Sequence, residues 1–197
     1  MTKARYARVQ RKTNETDIEI ELSLDGTSIC EIDTGVGFFD HMLHHIARHG
    51  VMDLKVSCKG DLHIDDHHSV EDVGIALGQA IGEALGDKRS IKRVGNCIMP
   101  MDEALVLCAI DISGRGYLAC SLNTATPKLG DYTSELTPEF FRAVAANSGL
   151  TIHIQQMAGN NTHHIIEAAF KAFARALAEA VSLDPRVTDI PSTKGTL

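Results

Sequence analysis

The 197-residue sequence has no tryptophan, no Cys-x-x-Cys pair among its five cysteines, and no Walker or Rossmann glycine pattern. P-loop chemistry, dinucleotide binding through a glycine loop and a structural zinc knuckle are therefore not expected. No apolar run approaches the roughly 18 residues needed to cross a bilayer. The opening MTKARYARVQRK is basic but lacks the apolar core of a secretory signal. Lys and Arg number 19 against 26 Asp and Glu, a net charge of −7. An acidic chain with scattered cations is a poor partner for nucleic acid. Cys30, Cys58, Cys97, Cys108 and Cys120 lie mostly in apolar, strand-like runs and read as reduced core thiols of a cytoplasmic protein. Histidine is what the chain has in excess. Seven of its ten lie between His41 and His68, and three between His153 and His164.

Hydrophobic periodicity gives the organisation. Ile18, Ile20, Leu22 and Leu24 alternate with polar residues as a half-buried strand. Asp25-Gly26 is a hairpin signal, so Thr27 to Asp33 is expected to return as its partner. Phe38 to His49 reads as a helix capped by Gly50, Met52 to Cys58 as a strand, and Ser69 to Leu85 as a helix. The order then repeats. Strands 104–113 and 117–122 are joined by Gly114-Arg115-Gly116, and a helix over 137–147 opens on Thr137-Pro138. A strand over 150–156 and a helix over 163–182 complete it. The reading is a single α+β domain of two duplicated halves, about 1–90 and 91–197. Each half runs strand–strand–helix–strand–helix, with sheets on one side and helices on the other. Gly74, Gly78 and Gly82, and the Ala168, Ala172, Ala176 and Ala180 stripe, read as surfaces for close helix packing.

The last helix of each half opens with His-His-x-x-Glu: His67-His68-Ser69-Val70-Glu71 and His163-His164-Ile165-Ile166-Glu167, with 96 residues from His67 to His163. One copy would most simply be a solvated helix start, but two at equivalent places of a duplicated chain point to chemistry. Adjacent helical residues diverge by about 100°, whereas i and i+4 share a face. His67 can therefore ligate with Glu71 and His163 with Glu167. If the two helix starts face each other, His68 completes the second pair and His164 the first, giving two metal sites. His41, beside Asp40, is a further ligand candidate. His44 and His45 read as surface or packing residues, and half two offers Glu139 in the corresponding stretch. Imidazole and carboxylate ligands without cysteine suit six-coordinate Mn(II) better than structural zinc. Arg93, Arg115, Lys171 and the tail Pro191-Ser192-Thr193-Lys194-Gly195 are candidate anion contacts.

These residues resemble the imidazoleglycerol-phosphate dehydratase family of histidine biosynthesis, in its monofunctional form. The resemblance covers nearly the whole chain. It is carried by Arg11-Lys12-Thr13-Asn14-Glu15-Thr16, by 35–43 (GVGFFDHML), by 61–68 (DLHIDDHH) with Glu71-Asp72, by 163–168 (HHIIEA) and by the tail. It implies a fold like domain 2 of ribosomal protein S5 and a 24-subunit shell built from trimers. It also implies two Mn2+ per active site, located between subunits. One metal would be held by His41, His68, His163 and Glu167, the other by His67, Glu71, His164 and Glu139. Many family members carry His at that last position. Substrate contacts would come from Glu15, His41, His49, His67, Glu71, Arg93, Arg115, His163, Lys171, Ser192, Thr193 and Lys194. The implied reaction removes water from D-erythro-imidazoleglycerol phosphate through a metal-bound imidazolate and a diazafulvene, with Glu15 as general acid/base. A dinuclear metal hydrolase is the rival enzyme class, and a metal-storage cage the rival outside catalysis. The phosphate-type cation set argues against a cage.

Overall fold

The structure is a computed structural model that describes residues 5–197. Its first sheet is built from β1 (Tyr6–Lys12), β2 (Thr16–Ser23), β3 (Cys30–Asp33) and β4 (Asp53–Gly60), in the order β1-β2-β4-β3. Helix α1 (Gly37–Gly50) joins β3 to β4, and α2 (His67–Leu85) follows β4. The second sheet has β5 (Val94–Met101), β6 (Ala104–Asp111), β7 (Tyr117–Ser121) and β10 (Thr151–Ala158), in the order β5-β6-β10-β7. A small hairpin, β8 (Lys128–Leu129) with β9 (Tyr132–Thr133), precedes α3 (Leu136–Ser148). Helix α4 (Thr162–Val181) follows β10. The strand order and the strand directions are the same in both sheets, so the duplication read from the repeated motif is visible in the topology.

Each half opens with a strand the periodicity did not resolve, β1 and β5, and both are sheet edges. The hairpin expected at Asp25-Gly26 does not form. β2 is flanked on both sides, by β1 and β4, and has no free edge for a returning strand. Asp53 Oδ1 accepts from the backbone N–H of Thr27 (2.7 Å) and Ile29 (2.9 Å), which carries the chain past β2. β3 therefore runs parallel to β4 at the far edge. β7 does the same beside β10 instead of pairing with β6. The cap of α1 also lies one residue later than read: Gly50 is still helical and Val51 takes the left-handed position at φ 53°.

In each half the sheet stands on one side and the helices on the other. Ile18, Ile20 and Leu22 of β2 are buried beneath α2 while Glu19 and Glu21 face away. The halves meet through helices, α2 packing on α3 and α1 on α4. The α2–α3 contact needs the small-residue stripe. A Cβ at Gly78 would stand 2.7 Å from the Val144 carbonyl oxygen, and one at Gly74 would stand 2.9 Å from that of Phe140. Gly82 meets nothing closer than 3.8 Å and is not demanded by packing. The alanine stripe of α4 is fully buried. All five cysteines are free; Cys58 and Cys108 are buried, and burial pushes the Cys58 thiol up to about 11. Among the described residues, no helix is long and apolar enough to cross a membrane.

Candidate metal centre and anion site

α1 and α4 lie side by side, and their contact gathers the first cluster. His41, His45 and His49 recur every four residues along α1, so they form one ladder. It faces His163, Glu167 and Lys171 of α4. Glu167 is 5% exposed. Its Oε2 is 3.1 Å from His163 Nε2 and 3.5 Å from His41 Nε2. Its Oε1 is 3.3 Å from His45 Nε2 and also accepts from Lys171 Nζ. Burial alone would raise the Glu167 carboxyl; the Lys171 hydrogen bond and the surrounding positive charge overcome it and hold it at about 2. Burial likewise pushes His45 down to about 4, so it is a neutral ligand or acceptor at neutral pH. His49, beside Lys171 and Arg175, is lowered mainly by burial. Phe38 packs edge-on against the His163 ring, centroids 5.0 Å apart, and fixes that side of the cluster.

The second cluster is the start of α2. Asp65, one residue before the N-cap Asp66, accepts from the His67 N–H at 2.9 Å. His67 Nε2 lies 3.8 Å from Glu71 Oε2, the i,i+4 pairing expected from the spacing. His68 turns the other way. Its Nδ1 is 3.0 Å from Asp61 Oδ2, and its Nε2 is 3.8 Å from Glu15 Oε2. Glu15 sits on the β1–β2 turn, which is anchored from below. Thr13 Oγ1 accepts from the N–H of Glu15 (3.1 Å) and of Thr16 (3.0 Å). The buried Asp72 carboxylate accepts from Arg11 at 2.8 Å and from Thr16 Oγ1 at 2.6 Å. Asp72 and His68 are an i,i+4 pair on α2, so the helix that carries the histidines also holds the turn that presents Glu15.

His164 makes a third grouping at the start of α4. Asn161 caps that helix through the N–H groups of His163 and His164. His164 Nδ1 is 2.7 Å from Glu103 Oε2. His68 and His164 thus share one device, a carboxylate on Nδ1 that leaves Nε2 free. This is how proteins orient and strengthen imidazole ligands. The carboxylate hydrogen bonds raise both imidazoles above their ordinary value. The donor set is imidazole plus carboxylate with pre-aimed Nε2 atoms, and it fits divalent cations such as Mn(II). Replacing Glu103 by Gln, or Asp61 by Asn, is expected to weaken metal binding about 10–100-fold without unfolding, measured as residual metal after dialysis against graded chelator.

The exchange of His68 and His164 between the two motifs does not occur within one chain. α2 packs on α3 and α4 on α1, so the two helix starts do not face each other. His68 instead meets Asp61 and Glu15, and His164 meets Glu103 and Asp102. Glu139 lies in the first turn of α3, half-buried and paired with Arg142. The neighbouring Phe140 carbonyl abuts Gly74, one turn beyond Glu71.

The anion candidates fall into two places. Arg93 binds Asp111 (2.7 Å) and donates to the Pro191 carbonyl at 2.9 Å, which draws in the tail. Ser192 Oγ accepts from the Lys194 N–H at 3.2 Å, and the Leu197 backbone lies against Gly114, next to the exposed Arg115. Arg93, Arg115, Ser192, Thr193 and Lys194 therefore belong to one end of the second half. Lys171 belongs to the histidine cluster. Sequence reasoning gave no role to Asp61, Asp72 and Glu103 and read His45 as surface or packing; His45 carried a signal in its i,i+4 spacing from His41, and Asp61 and Asp72 lie inside the motifs of the resemblance.

Fold and side-chain placement together define a duplicated α+β protein with histidine–carboxylate clusters at the starts of α2 and α4 and with Arg93 and Arg115 beside the C-terminal tail. The family profile described as imidazoleglycerol-phosphate dehydratase matches residues 34–177. The dehydratase of Jannaschia sp. (strain CCS1) is 59% identical over 194 residues, covering 98% of this chain and 100% of that one. That of Desulforamulus reducens is 58% identical, with 98% of each covered. The crystal structure of the Staphylococcus aureus dehydratase superimposes with a TM-score of 0.83 at 42% identity, covering 91% of this chain and 99% of that one. The Pyrococcus furiosus enzyme, in complex with (S)-C348, also gives 0.83, at 39% identity and with 96% and 100% covered. The chain belongs to the imidazoleglycerol-phosphate dehydratase family, enzymes of a dehydration step in histidine biosynthesis.

Proposed function

We propose that the chain is a Mn2+-dependent hydro-lyase acting on D-erythro-imidazoleglycerol phosphate in the cytoplasm, as a 24-mer built from trimers. One observation supports the reading: His41, His163 and Glu167 converge in one chain, while His68 and His164, each aimed by a carboxylate on Nδ1, stand apart from the His and Glu of the other motif within that chain. Ligands split in this way are completed when chains meet. His41, His163 and Glu167 with His68 of another chain would hold one ion. His67, Glu71 and Glu139 with His164 of another chain would hold the second. When bound, the ions favour the anionic form of the substrate imidazole and so activate a carbon that no carbonyl acidifies.

The chain's own residues supply the rest. Arg93, Arg115, Ser192, Thr193 and Lys194 hold the phosphate, while Lys171 and the neighbouring His49, in the histidine cluster, contact the rest of the substrate. Glu15, exposed and untied to metal, protonates the departing C3 hydroxyl and accepts the C2 proton. The C–O bond breaks, water leaves, and the enol formed tautomerises to the ketone. Mn(II)-loaded protein incubated with imidazoleglycerol phosphate should yield imidazoleacetol phosphate. Absence of that product, with release of inorganic phosphate in its place, would favour the hydrolase.

Metal removal is expected to disassemble the shell, since metal-binding energy here is association energy. Acid should act the same way. A raised imidazole keeps its proton to higher pH, so protons compete with metal at His68 and His164 from above the ordinary value of 6.5 downward. Light scattering should report trimers after chelation or acidification. An unchanged 24-mer after verified metal loss would refute the bridging role.

A further inference from the structure

The histidine cluster between α1 and α4 contains one imidazole, His45, beyond the proposed ligands His41 and His163. His45 is 14% exposed at its side chain and points into the cluster. Its Nε2 lies 3.3 Å from His41 Nε2 and 3.3 Å from Glu167 Oε1. His41 Nε2 is 3.5 Å from Glu167 Oε2, and His163 Nε2 is 3.1 Å from that same oxygen. Ligand atoms about 2.0–2.2 Å from a common cation stand about 2.9–3.5 Å apart in octahedral or tetrahedral arrays. The His41–His45 and His45–Glu167 separations match the edges of such an array, and the His41, His45 and Glu167 ligand atoms all lie within 4.8 Å of one another. Two imidazole nitrogens held this close with a carboxylate are a donor set, and no residue of a second chain is needed to form it. Lys171 pairs with Oε1 of the carboxylate and also contacts Met101 Sδ at 3.6 Å, so a cation held here takes the place of the Lys171 contact on Oε1.

We propose that a single chain holds one divalent cation by itself, through His41, His45 and Glu167, with His45 standing in for the imidazole that a neighbour supplies on assembly. This rests on the reading of His41, His163 and Glu167 as metal ligands and adds a loading state to it. The cation is captured first, on one chain. His68 of the arriving chain then replaces His45, which returns to packing beside His49. The consequence is an order: one metal per chain binds before assembly, and the second only with it.

The test uses Mn(II) alone, read by the loss of free Mn(II) signal in electron paramagnetic resonance. Full-length protein carrying His67→Gln and His68→Gln cannot complete either shared site. It is expected to retain one Mn(II) per chain. Adding His45→Gln, or separately His45→Asn, should weaken that binding by at least about tenfold, with circular dichroism unchanged. Adding His44→Gln, an exposed residue of the same helix, should leave it unaltered. If the double variant binds no Mn(II), or if both His45 variants bind as tightly as their parent, the loading site does not exist. The dehydratase reading stands or falls separately, on formation of imidazoleacetol phosphate by the wild-type enzyme.

Discussion

Glu15→Gln is expected to lower turnover by about 10²–10⁴-fold, the usual worth of one acid/base group, with metal content, assembly and substrate affinity intact. The structure says why the change should be so selective. Glu15 sits on a turn held by Thr13, Thr16, Arg11 and the buried Asp72, none of which involves its own side chain. Its carboxylate is 53% exposed and 3.8 Å from His68 Nε2, close to the candidate metal centre without being its tightest partner. Gln keeps the shape and loses the titratable proton. A water-facing strand-edge residue would instead tolerate the change within about 0.5 kcal/mol. Steady-state assay of variant protein checked for bound Mn(II) separates the two, and near-normal turnover at full metal occupancy would remove Glu15 from the mechanism. Asp72→Asn offers a control on the anchor. If Asp72 acts through Glu15, its effect on turnover should largely vanish in the Glu15→Gln background, because residues acting as one unit are not additive.

Glu167→Gln should fail differently. Glu167 is the convergence point of His41, His45, His163 and Lys171, so the substitution removes the only negative charge among those partners. Metal content, assembly and activity should fall together. The apo-protein should also lose about 1–3 kcal/mol of stability. That is less than the roughly 3–5 for breaking a fully buried pair, because Lys171 keeps 15% of its side chain in water. The carboxyl is held well below its ordinary value. Its contribution to stability is therefore present above about pH 4.5 and lost as pH falls towards about 2. Urea denaturation of metal-free wild type and variant measures the stability loss. Equal stability at neutral pH, with full metal retained, would show that the carboxylate is neither a ligand nor the partner of Lys171.

Much of this molecule was legible in its residues. The alternation in β2, β4, β6 and β10 follows from sheets buried on one face, and the duplicated motif announced two halves whose topology is the same. The i,i+4 pairs His67–Glu71 and His163–Glu167 meet as spacing required, since helix geometry is local. The edge strands were harder. β1 buries little beyond Ala7 and Val9, and β5 carries Gly95 and the Pro100 that an edge tolerates, so neither has a strong period-two signature.

Tertiary structure decided what periodicity leaves open. The parallel placement of β3 and β7 was fixed by which strand edges were already occupied, a fact about partners far along the chain. Asp61 and Glu103 reach the imidazoles from residues 7 and 61 positions away, with no spacing shared between the halves. Helix pairing had the largest effect on function. Which side chains each motif helix offers was set by its residues alone, because neighbours on a helix follow from its own turn. Only the packing of α1 on α4 and α2 on α3 decided which of them meet. It brings His45 into the cluster with Glu167, and it keeps His68 and His164 apart from the motif each was expected to complete.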